Sequence, residues 1–438
     1  MTRRFSTSNR GFEDEFRAFL AEPRGAAAGD VAGSVRAIIE DVRLRGGEAV
    51  ADYTAQYDRL TVDPTLLTSD NVDLHRLAHA CPDDLKEAID FAHGRITAYH
   101  ERQRPADHTY TDNTGLTLGW RWGAVDSVGV YVPGGRASYP SSVLMNTVPA
   151  KLAGVERVVM TAPAPGGELA PAVAYAALKA GVDEYYPIGG AQAVAALAYG
   201  GGRLAPVDKI VGPGNAWVAE AKRQVFGVVG IDTIAGPSEI CVIADSANDP
   251  AWIAADLLSQ SEHDPSSQSI LITFDEEFAN VVEKAVHLQL KSLSTEKIAA
   301  AAWASHGAIV VADTLESAVS ISNLIAPEHL ELAIDDPDKA LPMVRHAGAV
   351  FLGRWLPEVL GDYVTGSNHV LPTSRAARFS SGLSLYDFLK RTSIQGAGPN
   401  GFAALAPAAI RLGEAEGLPG HVRSLTIRSN AAQMTDDG

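Results

Sequence analysis

Two short segments pair groups that can bind a metal or move a proton. Gln260 and His263 end the segment ADLLSQSEH, and a spacing of three places both on one face of a helix. Imidazole is a common zinc ligand and an amide oxygen is an unusual one, so this pair fits either a metal site or a solvated helix end. Glu328 and His329 are adjacent in IAPEHLEL. They could be two bases, since burial can raise the pKa of a carboxyl group and imidazole titrates near neutral pH, or a charged loop before a strand.

Other residues extend or limit this chemistry. Asp362, His369 and His421 lie in predicted loops and could join either pair, although the role of His369 stays open. No H-E-x-x-H segment is present, so a metalloprotease is not supported. Cys81 and Cys241 form no C-x-x-C pair, which argues against a thiolate zinc site and a disulfide framework. We expect both cysteines to be buried and reject a thiohemiacetal role for Cys241.

Glycine-rich turns follow three of the predicted strands. They are YVPGG (131–135), IGGAQ (188–192) and GPGNAWVAEAK (212–222). Glycine lets a backbone approach a pyrophosphate, and a helix N-terminus favours anions, but each turn alone is also typical of a tight connection. No G-x-G-x-x-G segment links a strand to a helix, and no Walker A segment occurs, so these motifs leave nucleotide binding open.

The elements that must position these groups alternate between strands and helices from Val125 onward. Strands are predicted at 127–132, 157–162, 183–190, 208–212, 239–245, 268–274, 307–313, 330–334 and 348–353. Helices are predicted at 31–60, 83–103, 169–180, 216–229, 250–261 and 278–290. This order predicts an α/β fold with parallel sheets that bind ligands at the carboxyl ends of their strands. Residues 1–26 are predicted to be a polar tail with a short apolar stretch around Phe16 to Leu20. The C-terminal part is predicted to form helices and a short strand at 426–428.

Composition narrows the class of protein. The chain has 438 residues, enough for two or three domains, and its formal net charge is −17, which opposes binding to nucleic acid. The N-terminus lacks the apolar core of a secretory signal. No run approaches the roughly 18 apolar residues that a membrane span needs. We therefore expect a cytoplasmic protein that binds neither nucleic acid nor membrane.

Eight segments, ordered between residues 128 and 393, together resemble the histidinol dehydrogenase family. They are VGVYVPGGRASYPSSVLMNTVPAKLAGV, IGGAQAVAALAYG, VDKIVGPGNAWVAEAKRQVFG, IDTIAGPSEICVIAD, DLLSQSEHDP, APEHLEL, AGAVFLG and GDYVTGSNHVLPTSRAARFSSGLSLYDFLKRTS. RGGEAVADYTAQYD (45–58) and EGLPGH (416–421) extend the similarity outward. Ordered segments of this length are more specific than any single motif.

The resemblance implies two Rossmann-like domains with an aldehyde-dehydrogenase-like fold, and arms that form an intertwined homodimer with shared active sites. An N-terminal arm is expected over 1–26. A discontinuous catalytic and zinc-binding domain is expected over 27–130 and 238–383, and a second α/β domain that contributes to NAD binding over 131–237. Residues 384–438 would form a C-terminal dimerisation arm.

The resemblance also implies a site and a reaction. One zinc ion per subunit would be held by Gln260, His263, Asp362 and His421. The substrate would be contacted by Ser238, Gln260, His263, His329, Asp362, Glu416 and His421. The proton acceptors would be Glu328 and His329. The cofactor would be contacted by Tyr131, Gln192 and Asn215. The implied reaction oxidises L-histidinol to L-histidine through a bound aldehyde, with two NAD.

Two alternatives to this reaction remain. A paralogous zinc- and NAD-dependent dehydrogenase could use the same scaffold for another alcohol, such as a sulfonated diol. A non-catalytic metal- or nucleotide-binding protein could also keep the scaffold. The NHVLPT and APEHL segments resemble the histidine-pathway form, and binding alone needs no adjacent pair of bases.

Overall fold

A computed structural model describes residues 2–24, 31–68, 73–134 and 138–436, with side chains up to residue 429. Gly135 of the first glycine-rich turn and residues 25–26 of the predicted N-terminal arm lie outside these ranges. The strands are β1 Arg3–Ser6, β2 His108–Thr111, β3 Leu116–Ala124, β4 Ser127–Tyr131, β5 Arg157–Thr161, β6 Glu184–Tyr186, β7 Lys209–Val211, β8 Gly230–Ile231, β9 Glu239–Ala244, β10 Gln268–Thr273, β11 Ala308–Val311, β12 His329–Ala333, β13 Ala349–Leu352 and β14 Leu389–Ala397.

The helices separate these strands and flank them. They are α1 Phe12–Ala21, α2 Val31–Arg45, α3 Gly47–Asp58, α4 Leu74–His79, α5 Asp83–Glu101, α6 Pro140–Ala153, α7 Pro171–Ala180, α8 Gly190–Tyr199, α9 Ala216–Val225, α10 Pro250–Ser261, α11 Glu276–Leu290, α12 Glu296–His306, α13 Leu315–Ile325, α14 Pro337–Ala340, α15 Glu358–Tyr363, α16 Pro399–Ala415 and α17 Pro419–Asp436. Among the described helices, none is both long and apolar enough to span a membrane.

The chain divides into two compact units, the larger of which contains residues 1–103 and 125–388. The larger unit holds a six-stranded sheet in the order β1-β11-β10-β9-β12-β13 and a five-stranded sheet in the order β6-β5-β4-β7-β8. Strand pairing is parallel throughout both sheets. The predicted α/β fold with parallel sheets is therefore confirmed.

Helices cover both faces of the six-stranded sheet, because its central strands are apolar on both faces. Every residue of β9 and β10 is buried, as expected for parallel strands between two layers of helices. Cys241 and Ile270 pack on one face with residues of α1 and α13. Ile240 and Leu271 pack on the opposite face with residues of α10, α11 and α12. Because successive side chains of a strand point to opposite faces, the sheet has a separate hydrophobic core on each face.

The first residues of the chain belong to this sheet and do not form the predicted polar tail. Strand β1 pairs with β11, and Phe16 and Phe19 of α1 are buried in the core beneath it. The spacing of these two apolar side chains gives α1 a face that the sheet can bury. Residues 3–21 are therefore part of the larger unit.

The five-stranded sheet is centred on β4. The predicted domain boundary at residue 130 falls inside this strand, which pairs with β5 on one side and β7 on the other. Gly129 in β4 lies against Leu197 of α8, and a Cβ atom at this position would lie 2.8 Å from the leucine Cδ2. This close approach fixes α8, and with it Gln192, against the sheet.

The smaller unit contains residues 104–124 and 389–438. Strands β14, β3 and β2 form an antiparallel sheet in that order, followed by α16 and α17. The prediction of a short strand at 426–428 is wrong, because these residues continue α17. Strand β14 was not predicted, since its sequence, LKRTSIQGA, is almost wholly exposed and shows no apolar alternation.

Candidate active site

A cavity of about 300 Å³ in the larger unit brings together most of the predicted site residues. The predicted residues in its lining are Ser238, Gln260, His263, Glu328, His329 and Asp362. Gln260 is buried, whereas His263, just after the C-terminus of α10, is exposed. The segment with Gln260 and His263 and the segment with Glu328 and His329 thus line the same cavity, which neither motif alone could predict.

Local sequence explains how each group reaches the cavity. Asp249 caps the start of α10 by accepting the Ala251 N–H at 2.8 Å, and Gln260 lies in the last turn of that helix. Helix α13 ends at Ala326, whose φ of 51° is left-handed. The next residue, Pro327, cannot continue the helix, so Glu328 and His329 enter β12.

These groups gather at the amino edge of the six-stranded sheet. Glu328 precedes β12 and Ser238 precedes β9, which are neighbouring parallel strands. The candidate site of this sheet thus lies at its amino edge, opposite to the carboxyl ends at which the strand order predicts a ligand. The physical reason is that α10 runs back along the sheet and delivers Gln260 to the amino edge.

The backbone of Glu239 holds both candidate bases. Its N–H donates to Glu328 Oε2 at 2.9 Å, and its carbonyl oxygen lies 2.9 Å from His329 Nδ1. A carbonyl oxygen only accepts, so His329 Nδ1 must carry the hydrogen of this bond. The other ring nitrogen, Nε2, is buried and lies 3.8 Å from Asp362 Oδ1, and none of the residues that the structure describes forms a hydrogen bond with it. This tautomer leaves Nε2 with a free lone pair.

Burial sets the protonation of the two bases. It raises the pKa of Glu328 well above the ordinary carboxyl value, although the hydrogen bond from Glu239 opposes this shift. Burial also lowers the pKa of His329, so the imidazole is neutral at pH 7. A neutral imidazole, and a carboxylate made more basic by burial, can each accept a proton during a reaction.

Carboxylates and imidazoles near His329 also suit a metal ion. Nitrogen or oxygen atoms of His329, Glu358 and Asp362 lie within 4.8 Å of one another. Burial, together with the charge of Glu358, raises the pKa of Asp362 to about 8. Glu358 Oε2 is buried and has no hydrogen-bond partner among the described residues. A cation at this place would offset the buried negative charge, so the residues fit a divalent metal.

His369 was left without a role by the sequence, and the structure places it in the same cavity. Its Nδ1 lies 3.0 Å from the backbone oxygen of Asp362, and burial lowers the pKa of His369 to about 4. The ring is therefore neutral at pH 7 and donates a hydrogen bond that holds the backbone of Asp362.

Glu416 and His421 are not brought to this cavity within the described chain. Both belong to the smaller unit, near the junction of α16 and α17, and both are exposed. Their assignment as substrate contacts, and that of His421 as a zinc ligand, stays a prediction.

A second cavity, of about 420 Å³, contains all three residues predicted to contact the cofactor. The Tyr131 hydroxyl accepts the Gly190 N–H at 3.1 Å, and burial raises the pKa of Tyr131 to about 12. Asn215 caps α9, where its Oδ1 accepts the Trp217 N–H at 3.0 Å. Gln192 is buried in α8 and lines the same space.

Sequence reasoning missed an ion pair that supports the loop between these cavities. Lys222 and Asp232 are both almost completely buried and form a salt bridge. Lys222 Nζ donates to the Gly212 carbonyl at 3.0 Å, and Asp232 Oδ2 accepts the Gly212 N–H at 2.8 Å. Because both backbone groups of Gly212 are bound, the pair fixes the loop that leads to Asn215. Lys222 lies inside the GPGNAWVAEAK segment, but its partner is distant enough to have given no local signal.

Comparison with known proteins identifies the chain's relatives. The family model for histidinol dehydrogenase matches residues 22–429. Histidinol dehydrogenase of Caulobacter vibrioides is 56% identical over 97% of this chain and 99% of its own length. That of Rhodospirillum rubrum is 56% identical over 98% and 99%. The crystal structure of histidinol dehydrogenase from Elizabethkingia anophelis superposes with a TM-score of 0.92 at 33% identity, covering 99% of both chains.

Proposed function

The chain belongs to the histidinol dehydrogenase family of NAD-dependent oxidoreductases, and we propose that it oxidises L-histidinol to L-histidine in two steps at a zinc site. The observation that carries this proposal is the arrangement of the two bases. His329 presents a buried, unpartnered Nε2 to the cavity beside Glu328, and a single residue, Glu239, orients both. A protein that only bound a metal or nucleotide would need no such pair.

Gln260, His263 and Asp362 would hold the zinc ion in the larger unit, with His421 as a fourth ligand. The clustered buried carboxylates and the Glu358 Oε2 atom, which lacks a hydrogen-bond partner among the described residues, support a cation at this place. When bound, zinc would orient the amino alcohol and stabilise developing charge. Ser238 lines the same cavity and would contact the substrate, as would Glu416 by resemblance.

His329 would act as the base in both oxidations. Nε2 would take the proton of the substrate hydroxyl while the carbon-bound hydrogen leaves as hydride to NAD. The Nδ1–H bond to the Glu239 carbonyl would stabilise the imidazolium that forms, because the carbonyl dipole points at the new charge. The resulting aldehyde would remain in the cavity.

Glu328 would act between the two oxidations. Its raised pKa makes its carboxylate a stronger base than an exposed carboxylate, so it can take a proton from water that attacks the aldehyde carbon. The imidazolium of His329 would return its proton to the aldehyde oxygen, so the product is a gem-diol and His329 is neutral again. His329 would then remove the proton of one of the two hydroxyl groups in the second oxidation. Each base would then have its own step.

The second cavity would bind NAD. Tyr131, Gln192 and Asn215 line it, and two helix starts, those of α8 and α9, are adjacent to it. A helix N-terminus favours an anionic group, which suits a pyrophosphate. Two NAD would be used in turn for each histidine formed.

A test of the metal site uses His263→Ala. This side chain is exposed and its loss should leave the fold intact, so we expect the purified variant to lose most of the zinc that the wild type carries. Metal content per subunit decides the matter. Exposed His287, substituted by alanine, is the matched control, and full zinc in His263→Ala would contradict the ligand assignment.

A test of the two bases uses Glu328→Gln and His329→Ala. We expect Glu328→Gln to make about one NADH per site in a single turnover and then stall, because hydration of the aldehyde fails. We expect His329→Ala to slow both oxidations, by about 10²- to 10⁴-fold. Equal loss of both steps in Glu328→Gln would contradict the separate roles. Testing a sulfonated diol beside L-histidinol distinguishes a paralogous activity.

A further inference from the structure

Glu358 is a buried carboxylate next to the proposed metal site that no motif indicated. It is fully buried at the start of α15, four residues before Asp362. One of its carboxylate oxygens, Oε1, accepts a hydrogen bond from Ser259 Oγ at 2.5 Å. The other, Oε2, has no hydrogen-bond partner among the described residues and is inaccessible to solvent.

The contacts of Glu358 connect the three elements that carry the site. Its backbone N–H donates to Glu331 Oε1 of β12 at 2.6 Å, two residues beyond His329. Ser259 is the neighbour of Gln260 in α10. Glu358 is thus fixed against both elements while it occupies the same helix as Asp362.

The charge of Glu358 lacks a counterion in the described protein. Glu358 lies close enough to Glu328, Glu331 and Asp362 for its charge to contribute to the raised pKa of each of them. Among the described residues, no lysine or arginine forms a salt bridge with these four carboxylates. The imidazole of His329 lies 3.8 Å from Glu328 and from Asp362, but the neutral ring carries no charge that would balance them. Buried carboxylates without a cation destabilise the folded state, and a bound divalent ion relieves this cost.

We propose that Glu358 is a positioning residue of the metal site. The Ser259 hydrogen bond holds its carboxylate in place, and its negative charge strengthens the hold of Asp362 and its neighbours on a divalent cation. Glu358 does not line the cavity, so it acts on the metal through the groups in front of it. This inference rests on the zinc site proposed above and adds a residue to it.

The decisive variant is Glu358→Gln, which keeps the size of the side chain and an oxygen acceptor for Ser259 but removes the charge. We expect its zinc affinity, measured by competition with a chromophoric chelator, to fall about 10- to 100-fold, as for other outer-shell partners of metal ligands. We expect the metal-free variant to melt at the same temperature as the metal-free wild type or higher, because an uncompensated buried charge has been removed.

The two readouts distinguish positioning from a purely structural role. A residue that only braced the fold would lower the melting temperature of the metal-free protein and leave zinc affinity unchanged. Glu331→Gln is the matched control, because it removes a buried carboxylate of the same cluster that lies outside the group within 4.8 Å of His329 and Asp362. We expect it to change zinc affinity by less than about threefold.

Each of the remaining outcomes also supports or contradicts the role proposed for Glu358. Zinc affinity within twofold of wild type in Glu358→Gln would overturn the inference while leaving the zinc site intact. A wild type that binds no zinc would instead overturn the proposed zinc site. If Glu358→Gln does not fold, Glu358→Asp replaces it, since this variant keeps the charge but withdraws it from the site. An affinity loss of about 3- to 10-fold is then expected, and an unchanged affinity contradicts the proposal.

Discussion

The capacity of His329 to accept a proton depends on a group that its side-chain motif does not reveal, the backbone carbonyl of Glu239. Adjacency of a carboxylate and an imidazole in the sequence indicated two possible bases, but not which ring nitrogen would be free. The contact at 2.9 Å assigns the hydrogen to Nδ1 and the free lone pair to Nε2. That assignment needs the register of β12 on β9, which is a property of the folded sheet.

The same limit applies to other residues of the site. The spacing of Gln260 and His263 was enough to place them together, because both lie on one helical turn. Glu358 follows a proline in LPEVLGDY, where a glutamate is typical of a solvated first turn. Its complete burial follows from the position of α15 against β12, so the sequence alone would have assigned it to the surface.

Asp256 provides a residue-scale prediction about pH. Burial, together with the charge of Glu358, raises the pKa of Asp256 to about 7, whereas its unfolded value is near 3.8. Between these values the folded state binds more protons than the unfolded state, so this group makes the protein less stable as the pH rises from about 4 to 7. Asp256→Asn removes that dependence. We expect the metal-free variant to melt roughly 2 to 6 °C above the metal-free wild type at pH 8.

The comparison at pH 4.5 is the internal control for this prediction. There the wild-type Asp256 is protonated in the folded state, so the two proteins should melt within about 1 °C of each other. A difference in melting temperature that is the same at both pH values would show that packing, and not ionisation, explains the effect.

At the scale of elements, most of the parallel strands were predicted and none of the antiparallel strands was. The central strands are apolar runs buried on both faces, which makes them visible in the sequence. Nine of the eleven parallel strands were predicted, and the two that were missed, β1 and β8, are edge strands of their sheets. Strand β14 pairs with β3 from Leu389 to Ala397, yet most of its side chains are exposed. Backbone pairing holds this strand, and backbone groups are the same at every position, so the pattern of side chains carried no signal.

Strand β1 and helix α1 give the element-scale prediction. Phe16 is completely buried and stacks on Phe12 with ring centroids 5.5 Å apart, while it packs edge-on to Phe5. Phe16→Ala should destabilise the larger unit by about 3 to 5 kcal/mol, because it leaves a cavity beneath the sheet. Thermal unfolding measures this effect. Leu288→Ala, at an exposed position of α11, is the control and should change stability little.

A loss as small as that of the control would mean that β1 and α1 contribute little to the larger unit. The N-terminal residues would then behave as the separate arm that the sequence suggested. The two outcomes differ by several times the usual effect of a surface substitution.

At the scale of the whole molecule, the open question is where Glu416 and His421 act. Both are exposed in the smaller unit, and resemblance implies that they complete the site of a partner chain. We therefore expect two inactive variants, Glu328→Gln and His421→Ala, to restore activity when they form a heterodimer. One of its sites would carry both defects and the other would be normal.

Random pairing makes about half of the dimers mixed, each with one normal site of two, so activity should recover to roughly a quarter of the wild-type value. The two variants are refolded together, and histidinol-dependent NADH formation is measured. If His421 acts within its own chain, every site carries one defect and no activity returns. Heterodimers must be shown to be present before a negative result contradicts the shared site.

Because the backbone of Glu239 holds both bases, their alignment should tolerate most mutations at this position. A point mutation replaces a side chain but leaves the peptide N–H and C=O, except that proline removes the N–H. Substitution of Glu239 would remove the contacts of its carboxylate with Arg24 and with the Ser374 N–H. It would keep the backbone hydrogen bonds to Glu328 and His329. The alignment of the two bases is thus robust to almost every codon change at the residue that sets it. Mutation at this anchor therefore cannot readily tilt one base against the other, and a change in their alignment would have to arise elsewhere in the site.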